Sequence, residues 1–291
     1  MEYILENEKL KVTVNSLGAE LVSVVHKDDG VEHMWCGDSA VWGRHAPILF
    51  PHTGKVRNGR FEAKGKVYTS GQHGFAREME HTLVSVGMDE LVLELRSSQQ
   101  TMELWPYEFR LVSSFRIEGE ILHHNLRIEN PGREKLSFGV GYHPAFQIPF
   151  DDQHTYTDYE FRFHRNESPI CLETAGGLVT GNTYTLGTNI TAIPLDDKLF
   201  ANDSHCMINL TSKTLGIYEK DTGRAVVCDI EKFPYTLIWS KPGEPKFVCI
   251  EPWYSLPCTS QGSDKWADKP AAAVLAPGQH FTAKLKMTFK R

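Results

Sequence analysis

Three segments of the 291-residue chain set a titratable side chain beside glycine, proline or aromatic residues. In Gly71-Gln72-His73-Gly74-Phe75-Ala76-Arg77, glycines bracket a histidine closely, which suggests a tight backbone that another group approaches. Arg77 could fork onto a polar ligand or a carboxylate, and a loop histidine beside a salt-bridged arginine would read the same way. In Phe138-Gly139-Val140-Gly141-Tyr142-His143-Pro144, a histidine follows small residues in an apolar neighbourhood. Taken alone, it reads as a satisfied core residue, yet an unperturbed pKa of about 6.5 also suits it to give or take a proton near neutrality. In Phe247-Val248-Cys249-Ile250-Glu251-Pro252-Trp253-Tyr254, four apolar residues lead into a glutamate. Carboxylates are almost never buried unpartnered. Glu251 therefore either pairs with a cation or carries a pKa raised toward the range of a useful base. Trp253 and Trp239 would suit a sugar, whose apolar C–H faces stack on rings while its hydroxyls reach polar groups.

The elements that must hold these residues read as strands. Phe281, Ala283, Leu285, Met287 and Phe289 alternate with Thr282, Lys284, Lys286 and Thr288, the period of two that buries one face. Leu10, Val12 and Val14, then Leu91, Leu93 and Leu95, then His124, Leu126 and Ile128 repeat the pattern, the last closed by Asn130-Pro131-Gly132. A further strand is expected within Phe109–Ile117. No segment sustains a helical apolar stripe for four turns. The expected fold is all-β, a large antiparallel β-sandwich forming a single domain over residues 1–291. Residues 151–205, rich in Asp, Thr, Asn and Gly, read as long loops inserted into the sandwich, and Gln261–Pro277 as a second irregular stretch.

Composition narrows the function. A net charge of −6 gives no basic stripe for phosphates of nucleic acid. No apolar run has the roughly 18–20 residues of a membrane span, and Met1–Glu8 has neither the basic nor the apolar part of a signal peptide. The expectation is a cytoplasmic protein that binds neither nucleic acid nor membrane. The six cysteines form no CxxC pair and read as buried small hydrophobes rather than zinc ligands or disulfides. Oligomeric state is not legible.

Taken together and in order, His73 in QHGFAR, His143 in GYHPAF and Glu251 in CIEPW give the chain a resemblance to the aldose 1-epimerase (galactose mutarotase-like) family, in particular its LacX-like branch. The resemblance spans nearly the whole chain, from Gly18-Ala19-Glu20-Leu21 to the last strand. It implies the large antiparallel sandwich of that family and interconversion of the α and β anomers of a hexose or hexose phosphate, with no cofactor and no metal. It implies His143 as general acid, Glu251 as general base and His73 as the histidine that orients the sugar. It also implies Arg77, Arg57 and Asp203 as sugar contacts, to which the residues themselves add Trp253. The expected arrangement sets Glu251, ionised, and His143, protonated, on opposite sides of the anomeric centre. Lys55 and Arg60 read as solvated surface charges.

Two other readings compete. Thirteen histidines in an all-β chain raise a metal-dependent isomerase, but the adjacent His123 and His124 must point to opposite faces of a strand and no HxH-plus-Glu pattern occurs. A non-catalytic carbohydrate-binding protein on the same fold would need hydrogen-bonding groups but no matched acid and base.

Overall fold

The structure, a computed structural model, describes residues 1–291. Two large antiparallel sheets dominate it. One has nine strands in the order Ile190–Pro194, Tyr159–Glu167, Thr214–Glu219, Ala225–Asp229, His280–Lys290, Ile121–Glu129, Arg110–Glu118, Glu90–Arg96, Thr82–Val86. The other has eight in the order Leu178–Thr185, Ile170–Ala175, His205–Ile208, Tyr235–Trp239, Phe247–Trp253, Gly141–Tyr142, Ile48–Leu49, with Ala145–Gln147 also paired to Phe247–Trp253. A three-stranded sheet over Glu2–Glu6, Leu10–Asn15 and Glu20–His26 flanks them. The one α-helix, Gln99–Leu104, is short, and no helix is long and apolar enough to cross a membrane.

The alternating sequences form the expected strands. In His280–Lys290, Ala283, Leu285, Met287 and Phe289 are buried while the lysines between them are exposed. Leu126, Leu285 and Phe289 of the nine-stranded sheet join Val248, Ile250 and Ile238 of the eight-stranded sheet in one apolar core of 56 buried residues. The Tyr142 hydroxyl ties the layers, lying 2.8 Å from the His124 carbonyl and 3.0 Å from the Ala283 carbonyl of the opposite sheet. His124 is buried in this core and its neighbour His123 is not, as strand geometry requires.

Residues 151–205 are not inserted loops. They supply Tyr159–Glu167, Ile170–Ala175, Leu178–Thr185 and Ile190–Pro194, the flanking strands of both sheets. Leu178–Thr185 and Ile190–Pro194 lie at sheet edges, and the first is exposed along most of its length. An edge strand solvated on both faces has no reason to alternate, so the period-two signal is missing there. Within Gln261–Pro277, Trp266 is buried and donates from Nε1 to the Ser137 carbonyl at 2.7 Å. All six cysteines are free; four are buried, Cys258 is half-buried and Cys36 is exposed, contrary to the uniform burial expected.

Candidate active site

All seven residues of Phe247–Trp253 are buried, but they serve two different interiors. Val248 and Ile250 face the main core. Phe247, Cys249, Glu251 and Trp253 project from the other face of the strand, where Phe247 and Cys249 belong to one small apolar cluster and Trp253 to another. The neighbouring strand repeats the division, with Ile238 in the core and Leu237 and Trp239 on the outer face. Tyr142 points inward, so His143 emerges outward. On this outer face lies a pocket of about 360 Å³ lined by His73, Arg77, His143, Asp203, Glu251 and Trp253 among others. That volume falls in the usual range of small-molecule sites.

His143 Nε2 lies 3.2 Å from Glu251 Oε2. The two side chains are in direct contact, not set on opposite sides of a sugar ring as the sequence reading had it. Trp42 stacks on the His143 ring at 5.0 Å between centroids, and Trp239 and His73 meet it edge-on at 5.5 Å. Burial pushes the Glu251 carboxyl well up from its usual pKa, and the charge of Asp203 adds to that rise. Burial also pulls His143 down to about 3, with Arg77 and Arg44 acting in the same direction. Desolvation therefore favours the uncharged members, not the carboxylate and imidazolium expected from mutual attraction alone. In either form the pair carries one proton, on the carboxyl or on the imidazole, and so presents one donor and one acceptor. His143 Nδ1 is buried with no hydrogen-bond partner in the protein, a costly condition.

His73 is fixed by its own backbone. Its N–H donates to the Gly54 carbonyl at 2.8 Å, while the Gly54 N–H donates to His73 Nδ1 at 3.0 Å. With Nδ1 accepting, the ring proton resides on Nε2, which requires the Gln72 amide, 3.0 Å away, to turn its oxygen rather than its nitrogen to the ring. Burial holds the His73 pKa well below its usual value, so this ring is a neutral donor. The following glycine makes the turn possible: Gly74 has φ +72°, and a Cβ there would lie 2.3 Å from the Phe50 carbonyl oxygen. The Gly74→Ala variant is expected to lose about 3–5 kcal/mol of stability, from left-handed strain and a backbone clash together. Urea unfolding read by tryptophan fluorescence measures it, and a loss under 1 kcal/mol would mean the turn readily deforms.

The other predicted residues divide. Arg77 lines the pocket and donates from Nη2 to the Gln72 carbonyl at 2.8 Å. Asp203 lines it from an exposed turn with φ +81°. Trp253 lines it edge-on to His73 at 5.5 Å, too deeply buried to offer a free stacking face. Arg57 is absent from the pocket; its guanidinium is engaged by Asp264 at 2.8 Å. Lys55 is on the pocket wall rather than merely a surface charge, with Nζ donating to the Gly176 carbonyl at 3.0 Å. Trp42, Arg44 and Lys241 line the pocket and were not singled out from the sequence. The signal available was Trp42-Gly43-Arg44, an aromatic and a cation on either side of a turn residue, but nothing local in it points to His143.

Two groups of side chains have metal-ligand character. His143, Cys249 and Glu251 bring their donor atoms within 4.8 Å of one another, though burial raises the Cys249 thiol well above its usual pKa and keeps it protonated. Asp151, His154 and Glu219 form the other group, and there Arg224 already supplies the cation, contacting Asp151 and lying 2.7 Å from Glu219.

The fold is that of a large galactose mutarotase-like sandwich. The chain is a member of the aldose 1-epimerase family, whose model matches residues 1–288. It is 28% identical over 282 residues to Protein LacX, chromosomal, of Lactococcus lactis subsp. lactis, covering 94% of each chain. It is similar to the galactose mutarotase related enzyme of Lactobacillus acidophilus, with a TM-score of 0.95, 29% identity and coverage of 100% of this chain and 98% of that one. A galactose mutarotase-like protein of Lactobacillus casei superposes with a TM-score of 0.91 at 27% identity, covering 99% of both chains. Family membership supports a mutarotase-like, sugar-binding function.

Proposed function

We propose that this protein is a mutarotase that interconverts the α and β anomers of an aldose, with Glu251 and His143 as the base and acid and His73 orienting the sugar. The observation that carries the reading is the 3.2 Å contact between His143 Nε2 and Glu251 Oε2 on the floor of the pocket. The anomeric hydroxyl and the ring oxygen are both bonded to C1, so a touching donor and acceptor can serve both from one side. From the carboxylate–imidazolium form of the pair, which burial makes the minor one, Glu251 takes the O1 proton as the O1 electrons form the C1=O1 bond. The C1–O5 bond breaks toward O5, which receives the proton of His143. The pair now holds its proton on Glu251, the form that burial favours. Rotation about C1–C2 presents the other carbonyl face. His143 then takes the O5–H proton as O5 attacks C1, and Glu251 returns a proton to O1. One proton stays in the pair throughout, and neither metal nor cofactor enters. Positioned acids and bases each contribute about 10²–10⁴-fold, enough to accelerate a reaction that already runs in water.

Support also comes from what the pair costs. Burying a carboxyl against an imidazole is often destabilising relative to apolar residues of similar size, a cost that proton transfer would account for. Polarimetry and anomer-resolved NMR on freshly dissolved α-D-glucose, α-D-galactose and their 6-phosphates test the proposal. The expected result is relaxation that quickens in proportion to protein concentration for at least one sugar. Binding without acceleration for every aldose tried would make the protein a carbohydrate binder instead.

A further inference from the structure

Residues 36–44 form a loop whose two ends are tied to a single residue. The Trp35 N–H donates to the Ala145 carbonyl at 3.0 Å, and the Ala145 N–H donates to the His45 carbonyl at 2.8 Å. Ala145 stands two residues after His143, so the loop is fastened to the chain beside that histidine. Inside the loop, the N–H groups of Val41 and Trp42 donate to the Asp38 carbonyl at 2.9 and 2.8 Å, and Trp35 Nε1 donates to the Trp42 carbonyl at 2.8 Å. The base is closed as well, since a Cβ on Gly37, at φ +71°, would lie 2.5 Å from His45 Cε1. These constraints leave the Trp42 backbone little freedom. Its indole stacks on the His143 ring at 5.0 Å, with 27° between planes, and on Phe247 at 5.4 Å, with 19° between planes.

The stacked ring bears on which form of the pair is present. Ring opening starts from carboxylate and imidazolium, and burial makes that form the minor one. The groups around His143 act on its proton in both directions. The Glu251 carboxylate, 3.2 Å away, and the His143 backbone favour it, while Arg77 and Arg44 oppose it. Asp203 raises the proton affinity of Glu251 instead. His73, edge-on at 5.5 Å, is neutral, and Cys249 is a neutral thiol. An aromatic face is negative and attracts a cation set over it, the more so where water is excluded. Trp42 can therefore offset part of the desolvation of an imidazolium without adding a charge, and its stacking fixes the ring plane that aims Nε2 at Glu251 Oε2.

We propose that Trp42 is a positioning residue: stacked on His143, it holds Nε2 against Glu251 and favours movement of the pair's proton from Glu251 Oε2 to His143 Nε2, the state from which ring opening starts. Its effect on turnover rests on the mutarotase reading; its effect on the proton does not. Ring fluorines drain the negative face of an indole and hardly change its shape. Tryptophan with one, two or three ring fluorines, placed at position 42 alone, is expected to lower kcat stepwise with KM unchanged. The total loss should be about 5- to 30-fold, the range of a partly to fully desolvated cation–π contact. Trp42→Leu should lose at least as much and Trp42→Phe should recover most of it, with thermal unfolding recorded for each variant. A kcat that stays constant along the fluorine series overturns the proposal even if Trp42→Leu is slow, because shape alone then matters. A rise in KM with kcat held also overturns it and makes Trp42 a stacking platform for the sugar. If the parent anomerises no sugar, the mutarotase reading falls, and the ¹⁵N spectrum of the sugar-free, histidine-labelled protein decides. There the His143 resonances, assigned by their loss in His143→Asn, should move toward the neutral imidazole limit with each fluorine. Resonances that stay fixed would then overturn the proposal.

Discussion

Glu251→Gln is expected to lower kcat for anomerisation about 10³-fold, His143→Asn to do the same, and the double variant to be hardly worse than either single one. The magnitude is that of a positioned acid or base. The non-additivity follows from the geometry. With His143 Nε2 and Glu251 Oε2 3.2 Å apart, the two groups hold one proton between them, and removing either member leaves no donor–acceptor couple. Groups that act as a unit lose their combined contribution once. The Gln variant should fold at least as well as the parent, because it removes a carboxyl that burial has forced out of its ordinary protonation range. Anomer-exchange NMR at saturating sugar measures kcat for all four proteins. Near-full turnover by Glu251→Gln would remove the base assignment. An unchanged rate in His143→Asn would place the acid elsewhere, and losses that multiply would show that the residues act separately.

The whole protein is expected to unfold cooperatively near pH 5, well above the pH at which His143 itself would gain a second proton. The buried histidines outside the pair include His33, His52, His73, His81 and His124. Burial lowers His33 and His81 to about 4 and His52 and His124 to about 3, and holds His73 well below its usual value. The folded state keeps these rings neutral while the unfolded chain protonates them below about 6.5, so stability falls as pH drops through that value. At pH 5 each costs about 2 kcal/mol of relative stability. Five together rival the total of about 5–15 kcal/mol that holds a typical domain. The Glu251–His143 pair adds little to this balance, since burial raises Glu251 as it lowers His143. Circular dichroism against pH, with proton uptake measured across the transition, checks the expectation. Uptake of about five protons supports it, and a native spectrum persisting at pH 4 rules it out. His33→Phe is the informative variant. Its ring sits between Phe150 and Phe289 at 5.2 and 5.4 Å with Nδ1 unpartnered, so a phenyl should move the midpoint to lower pH. The acid side of any activity profile then reports unfolding, not the titration of His143.

Much of the architecture could be read from the chain because burial on one face of a strand leaves a local mark. The alternation from Phe281 to Phe289 and from His124 to Ile128 is written in consecutive residues, and those strands form as read. Residues 151–205 show the converse, since edge strands with water on both faces carry no such mark. The three chemically suggestive segments could be found because glycine, proline and aromatic residues beside a titratable group are themselves local. Arg57, a sugar contact only by the resemblance, pairs instead with Asp264, which is distant in the chain. Trp42 was silent because what it touches, His143, is distant in the chain.

Residue order alone therefore determined which groups were available for proton transfer and that strands would carry them. Only the folded chain decided that Glu251 and His143 touch and that Arg44 joins Arg77 on the same wall. The physical reason is range. Strand periodicity and turn chemistry depend on a few neighbouring residues, whereas desolvation and the contact of two side chains depend on which remote segments the sandwich stacks over the same face of one sheet.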